Sequence, residues 1–401
     1  MLHPAFEVAW YSGNLTVIKF LREWADGWLE HMKPGNYAAS VEVATEKVVE
    51  TTDTPIAGGY GSLGSAMAFM FWLTRDERYI EPFMHNWRQE VDRTSPSNLL
   101  PEMFHLGALD KLGRESLLKL VKGRGVAEWL VTGDKRPLIE ALKKDIAEIR
   151  RFWDMYTTSE PFTDRVFLYA LTNATIAYTG GYATRNKFNH THAVSWEGFG
   201  TEFAALVQTA RQTKLKAIVY NFANKPISGR VRVWTLEPGR YRVRIGVDKN
   251  GDDEVDVELS VNVLDLQRAV AIPLSLPPKR VTVVEAEMVA PLPPLFPRPD
   301  LALSAQEVRV DGNHLIVPVH KIGSAKAPET TVLVRDRSGR VIHKSSVPPL
   351  EAPLDLKPKV YTIRIPLPLT VLSPIQVAVD PENRITEIHE GNNFVTVTGM
   401  K

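Results

Sequence analysis

Near residue 210 the apolar pattern of this chain changes period. Before it, apolar side chains recur every three or four residues; after it, Val-rich runs alternate residue by residue and are broken by Pro and Gly. A period of 3.6 buries one stripe of a helix and a period of 2 buries one face of a strand. The chain therefore reads as a helical half followed by a β half. Eight of the nine Trp precede the break. At 401 residues the chain exceeds the size at which a single core keeps growing. We expect a multidomain α + β fold: an α-helical region over 1–210, an antiparallel β-sandwich over 211–289, a Pro-rich linker over 290–299 and a second, Ig-like sandwich over 300–401.

The formal net charge of +1 gives no global field to recruit nucleic acid or an anionic membrane. The lack of cysteine removes disulfides, thiolate metal sites and cysteine nucleophiles. The opening MLHPAFEVAWYSGN has no basic segment followed by an apolar core, and no run is long and apolar enough to span a bilayer. An exported protein would then carry its signal upstream of Met1, as part of a missing N-terminal portion.

In the helical half, Asn14 has the chemistry of an N-cap. Leu15, Ile18, Leu21, Trp24, Ala25, Trp28 and Leu29 follow at helical spacing. Further helices are expected over 63–73, 78–91, 115–122, 125–131 and 137–156, with Pro137 in a tolerated first turn. Trp72-Leu73-Thr74-Arg75-Asp76-Glu77-Arg78 is echoed by Leu130-Val131-Thr132-Gly133-Asp134-Lys135-Arg136. Each ends one helix, turns and starts another. This turn resembles that of the (α/α) toroids of polysaccharide lyases and glycosidases, which implies stacked helical hairpins, here enough for a partial ring.

In the β half, strands are expected over 214–222, 229–236, 240–247, 255–263, 269–276 and 279–287. The run Leu276–Glu285 resembles the last strand of the sandwich appended to many glycoside-cleaving enzymes. The stretch from Ala290 to Pro299 holds five prolines and reads as a stiff spacer. Beyond it, strands are expected over 300–303, 315–319, 330–335, 341–346, 360–366, 375–379 and 394–397. They close on Val379-Asp380-Pro381-Glu382-Asn383-Arg384-Ile385-Thr386-Glu387-Ile388-His389-Glu390-Gly391-Asn392-Asn393. Asp-Pro starts a turn and paired Asn caps backbone groups. Residues 300–398 resemble the CARDB family, the cell-adhesion-related sandwich of bacterial and archaeal surface proteins, which ends on this Asp-Pro turn and Glu-x-Asn-Asn. The sequence departs from the family at Lys321-Ile322-Gly323, where Asn usually precedes x-Gly. The resemblance implies an extracellular or cell-surface module that spaces, anchors or adheres.

Three constellations carry candidate chemistry. In Asp248-Lys249-Asn250-Gly251-Asp252-Asp253-Glu254-Val255-Asp256, the side chains of Asp248, Asn250, Asp252 and Asp256 fall at positions 1, 3, 5 and 9 of a Ca²⁺-wrapping loop. Asp253 replaces the glycine of position 6 and Leu259 the glutamate of position 12. The loop is thus either a Ca²⁺ site or a solvated acidic turn. The stretch Gly180–His192, followed by Trp196 and Glu197, gathers Tyr182, Arg185, Asn186, His190 and His192. A uronate lyase needs a base, met by Tyr or His, and a stabiliser of the enolate, met by Asn, Arg or His. Trp196 and Glu197 would contact sugar, and Tyr60, in the Gly-rich Gly58–Ser65 turn, would line the groove. The same segment also reads as a polar inter-domain loop. Glu102, His105 and Asp110 have no metal-ligand spacing.

The expected function is the C-terminal part of a secreted polysaccharide-active protein, lyase- or glycosidase-like, bound to polysaccharide or cell-surface glycan. The alternative is a non-catalytic surface, adhesion or filament protein that self-associates.

Overall fold

The structure, a computed structural model, describes residues 2–53, 63–88, 99–151, 172–181, 192–355, 357–367 and 373–398. It is mixed α and β with several antiparallel sheets. Two compact units divide it: residues 1–6 with 21–293, and residues 7–20 with 294–401. No helix of the described residues is long and apolar enough to cross a membrane.

The chain opens with α1 (His3–Ser12) and α2 (Leu15–Glu30), then a small sheet of β1 (Met32–Lys33), β2 (Asn36–Val41) and β3 (Val48–Thr52). Asn14 caps α2 as expected: its Oδ1 accepts the Val17 N–H at 3.1 Å. The helices that follow are α3 (Leu63–Thr74), α4 (Glu81–Arg88), α5 (Leu99–His105), α6 (Arg114–Val121), α7 (Val126–Thr132), α8 (Lys135–Arg151) and α9 (Thr172–Thr179). Val126, Trp129, Leu130, Leu138, Ile176 and Ala177 form a helical core between α7, α8 and α9.

The sequence echo is a repeated turn in three dimensions. Thr74 Oγ1 donates to Met70 O at 2.7 Å and accepts the Asp76 N–H at 3.1 Å. Thr132 Oγ1 donates to Glu128 O at 2.6 Å and accepts the Asp134 N–H at 3.1 Å. Asp76 then accepts the Arg78 N–H at 3.0 Å, and Asp134 the Arg136 N–H at 2.9 Å. Each aspartate also holds that arginine's guanidinium. Arg75 and Gly133, at φ 61° and 75°, supply the left-handed residue that ends each first helix.

The strands β4 (Val194–Glu197), β5 (Phe203–Arg211), β6 (Lys214–Asn221), β7 (Ile227–Val233), β8 (Gly239–Asp248), β9 (Val257–Leu266), β10 (Ala271–Leu276) and β11 (Val281–Pro291) build two sheets, β10-β7-β4 and β5-β6-β11-β8-β9. Val231, Val233, Ile272 and Leu276 of the first meet Val207, Val219, Val243 and Val284 of the second in one buried core. Full burial of each such side chain is worth about 1.5–3 kcal/mol. Strands β4 and β5, like β1 to β3 before them, lie within the stretch read from sequence as helical. The FAALVQTAR of β5 is Ala-rich and short, and pairing with β6 overrides its weak helical preference.

In the second unit, β12 (Leu301–Ala302), β13 (Arg309–Asp311), β14 (His314–Lys321) and β17 (Lys359–Pro366) form one sheet, with β14 pairing the other three. The other sheet runs β16 (Val341–Val347), β15 (Thr330–Arg335), β18 (Ile375–Val379) and β19 (Phe394–Val397). The expected sandwich is present, closed over Leu315, Val317, Val334, Ile365 and Val377. Residues 294–299 are stitched into this unit. The buried Arg298 donates from Nε to Pro294 O at 2.9 Å, and Ile388 N–H donates to Pro299 O at 3.1 Å. Gly323 is required here, because a Cβ would lie 2.5 Å from Asp300 N. Within the same unit the Asn14 amide donates to Asp355 O at 2.9 Å.

Candidate functional site

Both ends of the nominated loop are anchored. The Ala193 N–H donates to Thr179 O at 2.9 Å, so the chain leaves and re-enters across one hydrogen bond. Gly180 fixes the exit: at φ +72° its missing Cβ would lie 2.8 Å from both Val207 and Ala210 on β5. Tyr182, Arg185, Asn186 and His190 lie outside the described residues, as does Tyr60. His192 is half-buried beside Ala193.

Next to this rung is a cavity of about 40 Å³, lined by Phe69 and Trp72 of α3, Glu102 and His105 of α5, Gly180, and Gln212 of the β5–β6 turn. That is room for about two waters. Glu102 and His105 share a helix face, being three residues apart. His105 is 6% exposed. Its Nδ1 accepts the Ala210 N–H at 3.1 Å, which satisfies a backbone donor on edge strand β5. With Nδ1 as acceptor, the ring proton sits on Nε2. That N–H is buried and meets no protein acceptor, and Gln212 Oε1 is likewise buried without a donor. Burial, with Arg211 nearby, pushes the His105 pKa down to about 3. His105 is thus a fixed, neutral donor at physiological pH. Asp110, the third member of the sequence cluster, instead pairs with Arg211, whose Nη2 donates to Oδ1 at 2.7 Å.

Trp196 and Glu197, on β4, face different partners. Trp196 Nε1 donates to Tyr178 O at 2.9 Å, and its ring sits about 6 Å from those of Tyr178, Phe199 and Phe203. The ring contacts of Tyr178, on α9, were not legible in the sequence because its aromatic neighbours come from β4 and β5. Glu197 is clamped by Arg232 (Nε to Oε1, 2.6 Å) and by Arg230. These hydrogen bonds and positive charges hold its carboxyl down at about 2. It is a cross-strand anchor between β4 and β7.

The acidic loop after β8 closes on itself. Asp248 accepts the N–H groups of Asn250 (3.0 Å), Gly251 (2.7 Å) and Asp253 (3.0 Å). Asp256 accepts those of Lys249 (2.6 Å) and Asn250 (3.2 Å), and Asn250 Nδ2 donates to Asp252 at 3.0 Å. The buried Asp253 pairs with Lys135 Nζ at 2.6 Å. Among the described residues, no three acidic or histidine side chains are gathered to hold a metal.

The Glu-x-Asn-Asn stretch of the second unit holds a buried charged network that sequence reading did not foresee. Inward alternation along β14 carries Leu315, Val317 and Val319 into the core, and Lys321 after them. Its Nζ donates to Gly323 O at 2.6 Å. Glu387 accepts the Leu301 N–H at 3.1 Å and the Asn393 amide at 2.5 Å; Asp300 accepts the Asn392 amide at 2.7 Å. Burial pushes Glu387 up to about 8, aided by Asp300 and Glu390. Burial pushes Lys321 down to about 8, opposed by Asp300 and Glu387.

No protein-family model matches the chain. No curated protein matches it either. Among solved structures, 26% of the chain is similar to the CARDB domain of a Pyrococcus furiosus protein in complex with di-metal ions, at 26% identity over 94% of that chain and a TM-score of 0.20. It is also similar to the bacterial orthologue of human α-L-iduronidase, at 15% identity over 49% of this chain and 38% of that one, with a TM-score of 0.17. A β-glucuronidase from Ruminococcus gnavus is similar at 11% identity over 47% of this chain and 37% of that one, with a TM-score of 0.17. The chain spans less than two fifths of the iduronidase and of the glucuronidase.

Proposed function

We propose that this chain is part of a secreted polysaccharide-active protein whose site is built on the loop between Thr179 and Ala193. The observation that supports it most is the anchoring of that loop beside a cavity holding a neutral, unreceived His105 N–H. In this reading Tyr182 or His190 removes the proton α to a uronate carboxyl, and Arg185, Asn186 or His192 stabilises the enolate. The Tyr178–Trp196 pair offers a stacking surface for a sugar ring. Helices α3 to α8 would be an arc of an (α/α) toroid, and the CARDB-like module would space or attach the protein outside the cell. The double variant His190→Ala/His192→Ala should lose unsaturated product, read by ultraviolet absorbance, with its melting temperature retained. Undiminished cleavage by that variant would remove both histidines from the reading, and undiminished cleavage by Tyr182→Phe in the same background would remove the reading itself.

Calcium at Asp248, Asn250, Asp252 and Asp256 is a subsidiary proposal. Asp256 accepts the Lys249 and Asn250 amides on Oδ2, so Oδ1 would be the oxygen offered to the cation. Millimolar Ca²⁺ should then raise the melting temperature of the wild type but not of Asp252→Ala. Equal melting with Ca²⁺ and with chelator would exclude it.

A non-catalytic surface or adhesion protein is the second reading. It is favoured by β9, the last strand of the five-stranded sheet, whose outer side pairs with no strand among the described residues.

A further inference from the structure

The five-stranded sheet treats its two edges differently. At β5 the Ala210 N–H is received by His105, and Leu206 packs on the helical core. At the other edge is β9, ten residues long, and among the described residues no strand pairs with its outer side. Leu259, Val261 and Val263 are 47%, 37% and 60% exposed there. Open strand edges are normally blunted by charge, proline or a bulge. A bulge sits at Leu259, where register with β8 shifts between Ile245 and Gly246. From Ser260 to Leu264 the strand is regular and carries no charge and no proline. Its two flanking carboxylates are engaged within their own sheet, Asp265 by Arg240 at 3.1 Å and Glu258 by Arg244 at 3.4 Å.

We infer that β9 is the docking edge for a second copy of this chain, paired antiparallel about Asn262. The register decides the occupant. A two-fold axis at Asn262 sets Val261 against Val263 twice, Asn262 against itself, and Ser260 against Leu264. The regular stretch therefore brings no like charges together, and Asp265 and Glu258 beyond it are each already paired with an arginine of β8. Such an isologous contact closes at the dimer. This inference goes beyond the catalytic proposal and stands without it.

The test uses the full chain. At about 100 µM, where a small interface below ~1,200 Å² is populated, light scattering should give twice the 45.0 kDa chain mass. Val263→Lys, a change on an exposed position, should restore the single-chain mass with the melting temperature kept. Because the chain has no cysteine, Asn262→Cys should cross-link to itself on oxidation. Val261→Cys should cross-link when mixed with Val263→Cys and only weakly alone. Single-chain mass for the wild type at that concentration, or an undiminished dimer of Val263→Lys, overturns the proposal. A dimer lost in Val263→Lys without cross-linking of Asn262→Cys overturns its register.

Discussion

Lys321 and Glu387 show what one departure from a pattern does. A lysine at an inward position of β14 must find acceptors inside the sandwich, and it finds Gly323 O with Asp300 and Glu387 nearby. The two groups shift in opposite directions and so leave a signature in pH. Glu387 has its folded pKa raised from 4.5 to about 8. Its contribution to stability is whole below 4.5 and is lost as pH rises through about 8. Lys321 has its folded pKa lowered from 10.5 to about 8. Its contribution is whole above 10.5 and is lost as pH falls through about 8. Calorimetry should therefore show the module least stable near pH 8. Glu387→Gln should abolish the acidic limb, because Gln keeps the Leu301 acceptor and can donate to Asn393 Oδ1, which has no donor in the wild type. An unchanged acidic limb in Glu387→Gln would assign that limb to other groups.

Helix α2 and the repeated turn set the scale of single elements. Asn14 both caps α2 and donates to Asp355 O. Asn14→Ala should lower stability by about 1 kcal/mol through the cap alone, plus whatever the donated bond adds. Asn14→Asp keeps the cap acceptor and lacks the donor, so urea denaturation should place it between the two. Equal losses for both variants would mean the cap contributes nothing. The cap, the helices of the first half and the Thr-x-Asp-x-Arg turn were legible in sequence because their hydrogen bonds are local. Strands β4 and β5 were not, since a short Ala-containing strand is specified by the β6 and β7 partners that arrive later in the chain. The partners of Glu197 were hidden for the same reason: its two arginines stand on β7, more than thirty residues on.

For the whole molecule, the mixture of helices with antiparallel sheets was readable from period alone, and the Asp-Pro to Asn-Asn stretch marked where the last sandwich closes. The division into units was less so. Residues 7–20 group with 294–401, a long-range partnership that no local pattern announces. The cavity beside the loop was equally hidden, because Trp72, His105, Gly180 and Gln212 converge from four separate stretches. His105 had been legible only as a histidine without metal-ligand spacing. Its role as receiver of an edge-strand amide needed β5 to be seen first.

The single rung between Thr179 and Ala193, with Gly180 wedged on β5, joins the end of α9 to the approach to β4 at one point. Each of these two residues is fixed by its own neighbours, Thr179 within α9 and Ala193 in the core of the first sandwich. Exchange of the residues between 181 and 192 should therefore leave the melting temperature of the scaffold little changed.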